Sequence, residues 1–119
     1  MIKEISFEEA YNLVKCNKEQ VTIKPKGTFY GYYEGDVLTG VISTNETKNT
    51  IRIKTFYVIP EARARSIGTQ LLNHVVIDNN PKEYTVFATK RAYRLFLDKG
   101  FETVSQNKYG ITFMRRRSV

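Results

Sequence analysis

The stretch IRIKTFYVIPEARARSIGTQLL, residues 51–72, constrains the fold more than any other part of the chain. Ile51, Ile53 and Thr55 alternate with Arg52, Lys54 and Phe56, and the run then turns apolar on both sides through Ile59. Period-two alternation predicts a half-buried strand, and a two-sided apolar end puts that strand in the middle of a sheet. Pro60 ends it, because proline has no N–H for the ladder. From Ser66 the period lengthens: Ile67, Leu71, Leu72, Val75 and Val76 fall at helical spacing. The turn between strand and helix gathers backbone N–H groups at a helix N-terminus, where helix polarity adds roughly half a positive charge. Gly68 has no side chain to hold an anion off the backbone. Ser66 can cap the helix or donate a hydroxyl, and Arg63 and Arg65 add charge. The pattern is neither a P-loop nor GxGxxG. Two readings stand: a short anion cradle, or an ordinary cap with solvated arginines.

A chain of 119 residues predicts one domain over residues 1–119, large enough to bury a core without staples. Cys16 is the one cysteine, so a disulfide framework is excluded and a reducing cytoplasm is the expected compartment. No membrane span is expected, since no apolar run approaches the ~20 residues it needs, and no signal peptide, since MIKEISFEEA lacks a charge-flanked apolar block. The net charge of +7 is uneven. Residues 1–46 hold 5 Lys/Arg against 7 Asp/Glu, whereas residues 47–119 hold 14 against 5, so the basic excess lies wholly after Lys48. Such a half suits an anionic ligand or partner, or a solvated surface.

Outside residues 51–72 the signals are local. IKEI is a short β-prone piece, and SFEE is a capping box in which Ser6 and Glu9 serve each other's orphan N–H groups. Phe7, Ala10, Tyr11, Leu13 and Val14 then give a helical stripe to about Cys16, which is read as a small core residue. TFYGYY and VLTGVIST flank EGD and predict a hairpin. DNNP stops the Ser66 helix, YTVFA is a short buried strand, and KRAYRLFLDKG is a second helix with Gly100 at C′. ETVSQ and ITFMR are two last strands, and the end, MRRRSV, is expected to fray. The predicted order is β-α-β-β-β-α-β-α-β-β, an α/β (α+β) chain. His74 is the lone histidine and cannot build a metal site, so no metal is expected.

FYVIPEARARSIGTQLL resembles the acetyl-coenzyme A site of the GCN5-related N-acetyltransferase (GNAT) superfamily, in which a strand ending in apolar-Val-x-Pro-Glu leads through R-x-x-G-x-G into a long helix. Arg63, Ser66 and Gly68 match that pattern, with Ser66 in place of the usual glycine. RAYRLFLDKGFE is similar to the family's A-x-x-x-Y/F-x-x-x-G-F helix. The resemblance runs along nearly the whole chain and implies a mixed, mainly antiparallel central sheet flanked by helices. It also implies a single acyltransferase domain, shorter than usual in its first helical region.

The resemblance further implies acetyl-coenzyme A as co-substrate, with a cofactor-binding set of Phe56, Val58, Arg63, Ala64, Arg65, Ser66, Ile67, Gly68, Thr69 and Phe96. Its pyrophosphate would take N–H groups from Arg65 to Thr69. Its pantetheine arm would pair with the backbone of Phe56 and Val58, and the Val58 N–H would stabilise the oxyanion. The family often places a thiol-protonating tyrosine where this chain has Phe96; Tyr93, one turn back, is the substitute that spacing offers. The alternative for Tyr93 is a core aromatic. Glu34 and Asp36 are fallback bases or turn formers. The implied function is transfer of an acetyl group to an amine by a monomer or homodimer. A catalytically weak acyl-CoA-binding protein is one alternative, motivated by Phe96 and Ser66. A protein acting on nucleic acid or its bound proteins is another, motivated by the basic half, of which Lys90, Arg91, Arg94 and Arg115–Arg117 are not required by the cradle.

Overall fold

The structure, a computed structural model, describes residues 1–16, 23–63, 65–78 and 80–117. Strands β1 (Ile2–Ile5), β2 (Thr28–Glu34), β3 (Val37–Glu46), β4 (Thr50–Val58), β5 (Glu83–Ala88), β6 (Glu102–Gln106) and β7 (Thr112–Arg116) form one sheet in the order β1-β2-β3-β4-β5-β7-β6. Helices α1 (Phe7–Cys16), α2 (Ile67–Val75) and α3 (Lys90–Asp98) complete the predicted order, with a 3-10 turn at Pro60–Ala62 between β4 and α2. Every strand pair is antiparallel except β4 with β5, which the α2 crossover joins in parallel.

Alternation along β3 divides the core. Val41 turns to one face, where Ile5, Ala10, Val14, Phe29 and Tyr57 pack under α1. Ile42 turns to the other, where Ile51, Ile53, Val86, Ala88 and Met114 pack under α2 and α3. The capping box forms as predicted: the Glu9 N–H donates to Ser6 Oγ (3.1 Å) and the Ser6 N–H to Glu9 Oε1 (3.4 Å). Glu9 Oε2 also accepts the Tyr33 hydroxyl at 2.9 Å, tying the start of α1 to β2. That bond first, then the Ser6 bond, holds the Glu9 carboxyl below the ordinary glutamate range.

The end of α3 is fixed by a Schellman motif. Gly100 sits at φ +92°, the Phe101 N–H donates to the Phe96 carbonyl (3.0 Å) and the Gly100 N–H to that of Leu97 (3.0 Å). The hydrophobic contact that goes with this cap is Phe96 against Phe101, with ring centroids 5.1 Å apart. Phe96 is thereby driven into the core.

Two expectations are corrected. Cys16 is exposed, because it falls on the solvent side of α1 opposite Ala10 and Val14. The run MRRRSV is not frayed as far as Arg116: Met114 is fully buried in β7, Arg115 lies 3.8 Å from Glu83, and Arg116 binds Asp78. Arg116 holds the Asp78 carboxyl below its usual range through that hydrogen bond and its charge. Ser118 and Val119 lie outside the described residues, as does Asn79 of the DNNP stop. Among the described residues, no helix is long and apolar enough to cross a membrane.

Candidate functional site

β4 and β5 pair from Thr50↔Glu83 to Ile53↔Val86 and then part, while β4 runs on to Val58. The Ile59 N–H donates to the Thr39 carbonyl at 2.9 Å. Strand alternation then turns the N–H and C=O of Val58 and Phe56 the other way, into the gap that β5 leaves. The gap opens on a cleft of about 870 Å³. Its walls are the end of β4 (Phe56, Tyr57, Val58), the start of α2 (Ser66, Ile67, Gly68, Thr69) and the start of α3 (Thr89, Lys90, Arg91, Ala92, Leu95), with Ala62 and Arg63 between the first two.

Arg63 binds the strand end. Its Nε donates to the Val58 carbonyl at 2.9 Å, and its guanidinium lies 5.5 Å from the Tyr57 ring centroid. Arg65 reaches Glu34 at 2.9 Å, so the turn before α2 is pinned to the β2–β3 hairpin. Ser66 stands at φ +62°, ψ +15°, the one non-glycine with positive φ among the described residues. Its side chain makes no capping hydrogen bond, contrary to the capping role its type suggests. The left-handed backbone points the chain into α2, and serine holds a conformation that glycine adopts without strain. Gly68 answers a packing demand. A Cβ there would stand 3.2 Å from Phe56 Cζ and 3.3 Å from Leu95 Cδ1, so its missing side chain lets α2 approach both walls of the cleft.

The N-termini of two helices therefore face one cavity. α3 begins with Thr89 as N-cap, its side chain accepting the Ala92 N–H at 3.4 Å. Lys90 and Arg91 line the cleft beside it, although only the first helix was expected to supply charge. The signal for them was local, a threonine followed by two cations at a helix start. What sequence could not give was the meeting of two helix ends across β4 and β5.

A model of the acetyltransferase (GNAT) domain matches residues 3–115 of this chain. The chain belongs to the GNAT acetyltransferase family. Its structure is similar to the PaiA N-acetyltransferase from Thermoplasma acidophilum in complex with coenzyme A, with TM-score 0.76, 14% identity and coverage of 98% of each chain. Arabidopsis thaliana Naa50, in complex with the bisubstrate analogue CoA-Ac-MVNAL, gives TM-score 0.78 at 16% identity, covering 98% of this chain and 97% of that one. The ribosomal-protein-S18-alanine N-acetyltransferase from Escherichia coli gives 0.77 at 12% identity, covering 100% and 94%. No curated protein matches the chain by sequence. At these identities the likeness is one of fold, and the sheet and helices of this GNAT chain follow it.

Of the residues picked out from sequence, Phe56, Val58, Arg63, Ser66, Ile67, Gly68 and Thr69 line the cleft. Arg65 flanks it through Glu34, and Ala64 lies outside the described residues. Phe96 is not in the lining. At 1% exposure it packs edge-on to Phe56 (5.6 Å) and Phe101, so it supports the cleft wall from the core side. Tyr93 is also outside the lining, with its hydroxyl 3.2 Å from Thr103 Oγ1 on β6. Glu34 is held by Arg65, and Asp36 is exposed in the hairpin turn. His74 lies against Tyr30 (centroids 5.0 Å apart), away from the cleft. Among the described residues, no three His, Cys, Asp or Glu side chains come together as a metal site.

Proposed function

We propose that this chain is an N-acetyltransferase that moves an acetyl group from acetyl-coenzyme A to an amine. One observation carries the reading: the starts of α2 and α3, with Arg63, Lys90 and Arg91, face a cleft at the parted end of β4. Helix N-termini and guanidinium groups suit a pyrophosphate. Phe56, Ile67 and Leu95 give the same cleft an apolar wall that suits a long aliphatic arm. The fit is therefore of both halves of one ligand.

Acetyl-coenzyme A supplies an activated acyl group as a thioester. In this reading the backbone N–H groups of Arg65 to Thr69 hold the pyrophosphate, with Lys90 and Arg91 adding charge from α3. The backbone of Phe56 and Val58 pairs with the amide arm, and the Val58 N–H donates to the thioester carbonyl oxygen, where negative charge grows during attack. The neutral amine nitrogen attacks the carbonyl carbon, a C–N bond forms and the C–S bond breaks. The amine's proton passes to solvent water and the departing sulfur takes one back. Phe96 and Tyr93 have no part in either transfer. A thiol of pKa about 8.5 leaves without much help, so turnover survives the lack of an acid at modest rate.

A second reading is a catalytically weak acyl-CoA-binding protein. It is favoured by the absence of any carboxylate or histidine from the cleft lining among the described residues. Two measurements separate the readings. Millimolar acetyl-coenzyme A should raise the melting temperature by mass action. Gly68→Asp should cancel the shift, because it drives a carboxylate against Phe56, Leu95 and the anion. Free-thiol release is then followed against a panel of small amines and peptides with free N-termini. Turnover with any of them supports the transferase, a shift without turnover supports the binding protein, and no shift overturns both.

A further inference from the structure

The sheet has a second feature that the cleft does not use. On β4, β5, β7 and β6 the residues that alternate with the core point away from α2 and α3. Register places them in rows: Arg52 beside Thr85, Thr85 beside Arg115, Phe87 beside Phe113, and Phe113 beside Ser105. Lys54, two residues beyond Arg52, is exposed on β4 just past the last β4–β5 pair. Among the described residues α1 packs over β2, β3 and Tyr57 at the far end of β4, while Arg52, Lys54, Phe87 and the residues of β6 stay exposed. Phe87 is 71% exposed, and its ring centroid is 4.9 Å from that of Phe113. Phe87 is exposed and Phe113 half-buried, so the pair leaves apolar surface in water.

We propose that this face binds single-stranded nucleic acid, with bases stacked on Phe87 and Phe113 and phosphates drawn to Arg52 and Lys54. The proposal does not rest on acetyl transfer. Charge complementarity selects the partner. Of the carboxylates on the face, Glu102 stands opposite Arg115 and Glu83, next along β5 from its partner Thr85 on the same side, lies 3.8 Å from it. Arg52 and Lys54 are exposed along the β4 side of the aromatic pair. A second copy docked face to face would bring these cations together with few acids to meet them. An acidic peptide answers the cations but makes no use of two adjacent planar rings. A nucleic acid strand answers both, and a four-stranded sheet with two surface aromatics is a known platform for two or three bases. A duplex hides its base faces and can take only the charge.

The test is fluorescence anisotropy with a labelled oligothymidylate of about 12 nucleotides. The wild-type chain is expected to bind it more tightly than heparin, polyglutamate or a duplex of equal length. Phe87→Ala should weaken binding about ten-fold or more, since stacking on that ring is removed. Phe87→Tyr should keep it. Lys54→Glu should also weaken it and flatten the salt dependence by about 0.7 for each phosphate that is no longer neutralised. Phe87 is exposed, so Phe87→Ala should leave the melting temperature unchanged, and Lys54→Glu serves as the independent check. No binding at low salt, or equal binding by Phe87→Ala, overturns the proposal. So does polyglutamate bound as tightly as the oligonucleotide, which would indicate an acidic protein partner. A concentration-dependent dimer in sedimentation that Phe87→Ala abolishes would assign the face to a second copy and overturn it as well.

Discussion

Arg63 Nε donates to the carbonyl oxygen of Val58 at 2.9 Å, across five residues that include the end of β4 and the 3-10 turn. The bond closes the strand end onto the turn that starts α2. It satisfies a carbonyl that β5 has left behind, on a residue that lines the cleft.

Arg63→Ala should therefore act on both stability and ligand response. A charge-assisted bond to a half-buried backbone group is removed, so the unfolding free energy should fall by about 1–2 kcal/mol. The acetyl-coenzyme A thermal shift should shrink at the same time. Urea denaturation measures the first and a melting series the second. An unchanged midpoint would show that the bond contributes nothing net.

Ser66→Gly should stabilise the chain. Serine at φ +62° carries roughly 1–2 kcal/mol of left-handed strain, and glycine's extra unfolded-state freedom offsets part of the relief. The expected net gain is about 0.5–1 kcal/mol in urea. Ser66→Val should lose stability at the same position, because a β-branched side chain tolerates positive φ worse still. The reverse order of the two variants would contradict the strain argument.

Phe96→Tyr and Tyr93→Phe are expected to differ in kind. Phe96 is 1% exposed among Phe56 and Phe101, so a hydroxyl there is buried among apolar rings and should cost about 1–3 kcal/mol. Tyr93→Phe removes one surface hydrogen bond to Thr103 and should cost roughly 0.5–1 kcal/mol, with acetyl transfer unchanged within about two-fold. A ten-fold fall in thiol release by Tyr93→Phe would return that residue to the chemistry.

The acid limb of stability should respond to Tyr33. The Tyr33 hydroxyl is the largest cause holding Glu9 below its ordinary value, with the Ser6 bond next. A carboxyl with a folded pKa below its unfolded one adds stability above the unfolded value, about 4.3, and loses it as pH falls through the folded value. Tyr33→Phe should flatten the fall in stability between about pH 5 and pH 3 in urea titrations. At the alkaline end burial and then Glu9 raise the Tyr33 pKa. That contribution is present below about pH 10, is lost above it, and should vanish in the same variant.

By itself the sequence determined the elements. Period-two and helical stripes, Pro60, the Ser6–Glu9 box and Gly100 are local signals, and each acts within one turn or one strand, so the order of strands and helices was legible residue by residue. The half of the cleft built from β4 and α2 was legible for the same reason, since strand, turn and helix are contiguous. Tertiary structure decided what contiguity does not reach. Lys90 and Arg91 join the cleft because β5 pairs parallel with β4 and brings the start of α3 beside that of α2. Phe96 leaves it because the Schellman turn at Gly100 folds Phe101 back onto it, and apolar burial of two rings outweighs a place in the cleft wall. Phe87 and Phe113 become neighbours only because β7 inserts between β5 and β6. Pairing between strands so far apart in the chain is set by which faces must be buried together, and no local periodicity records it.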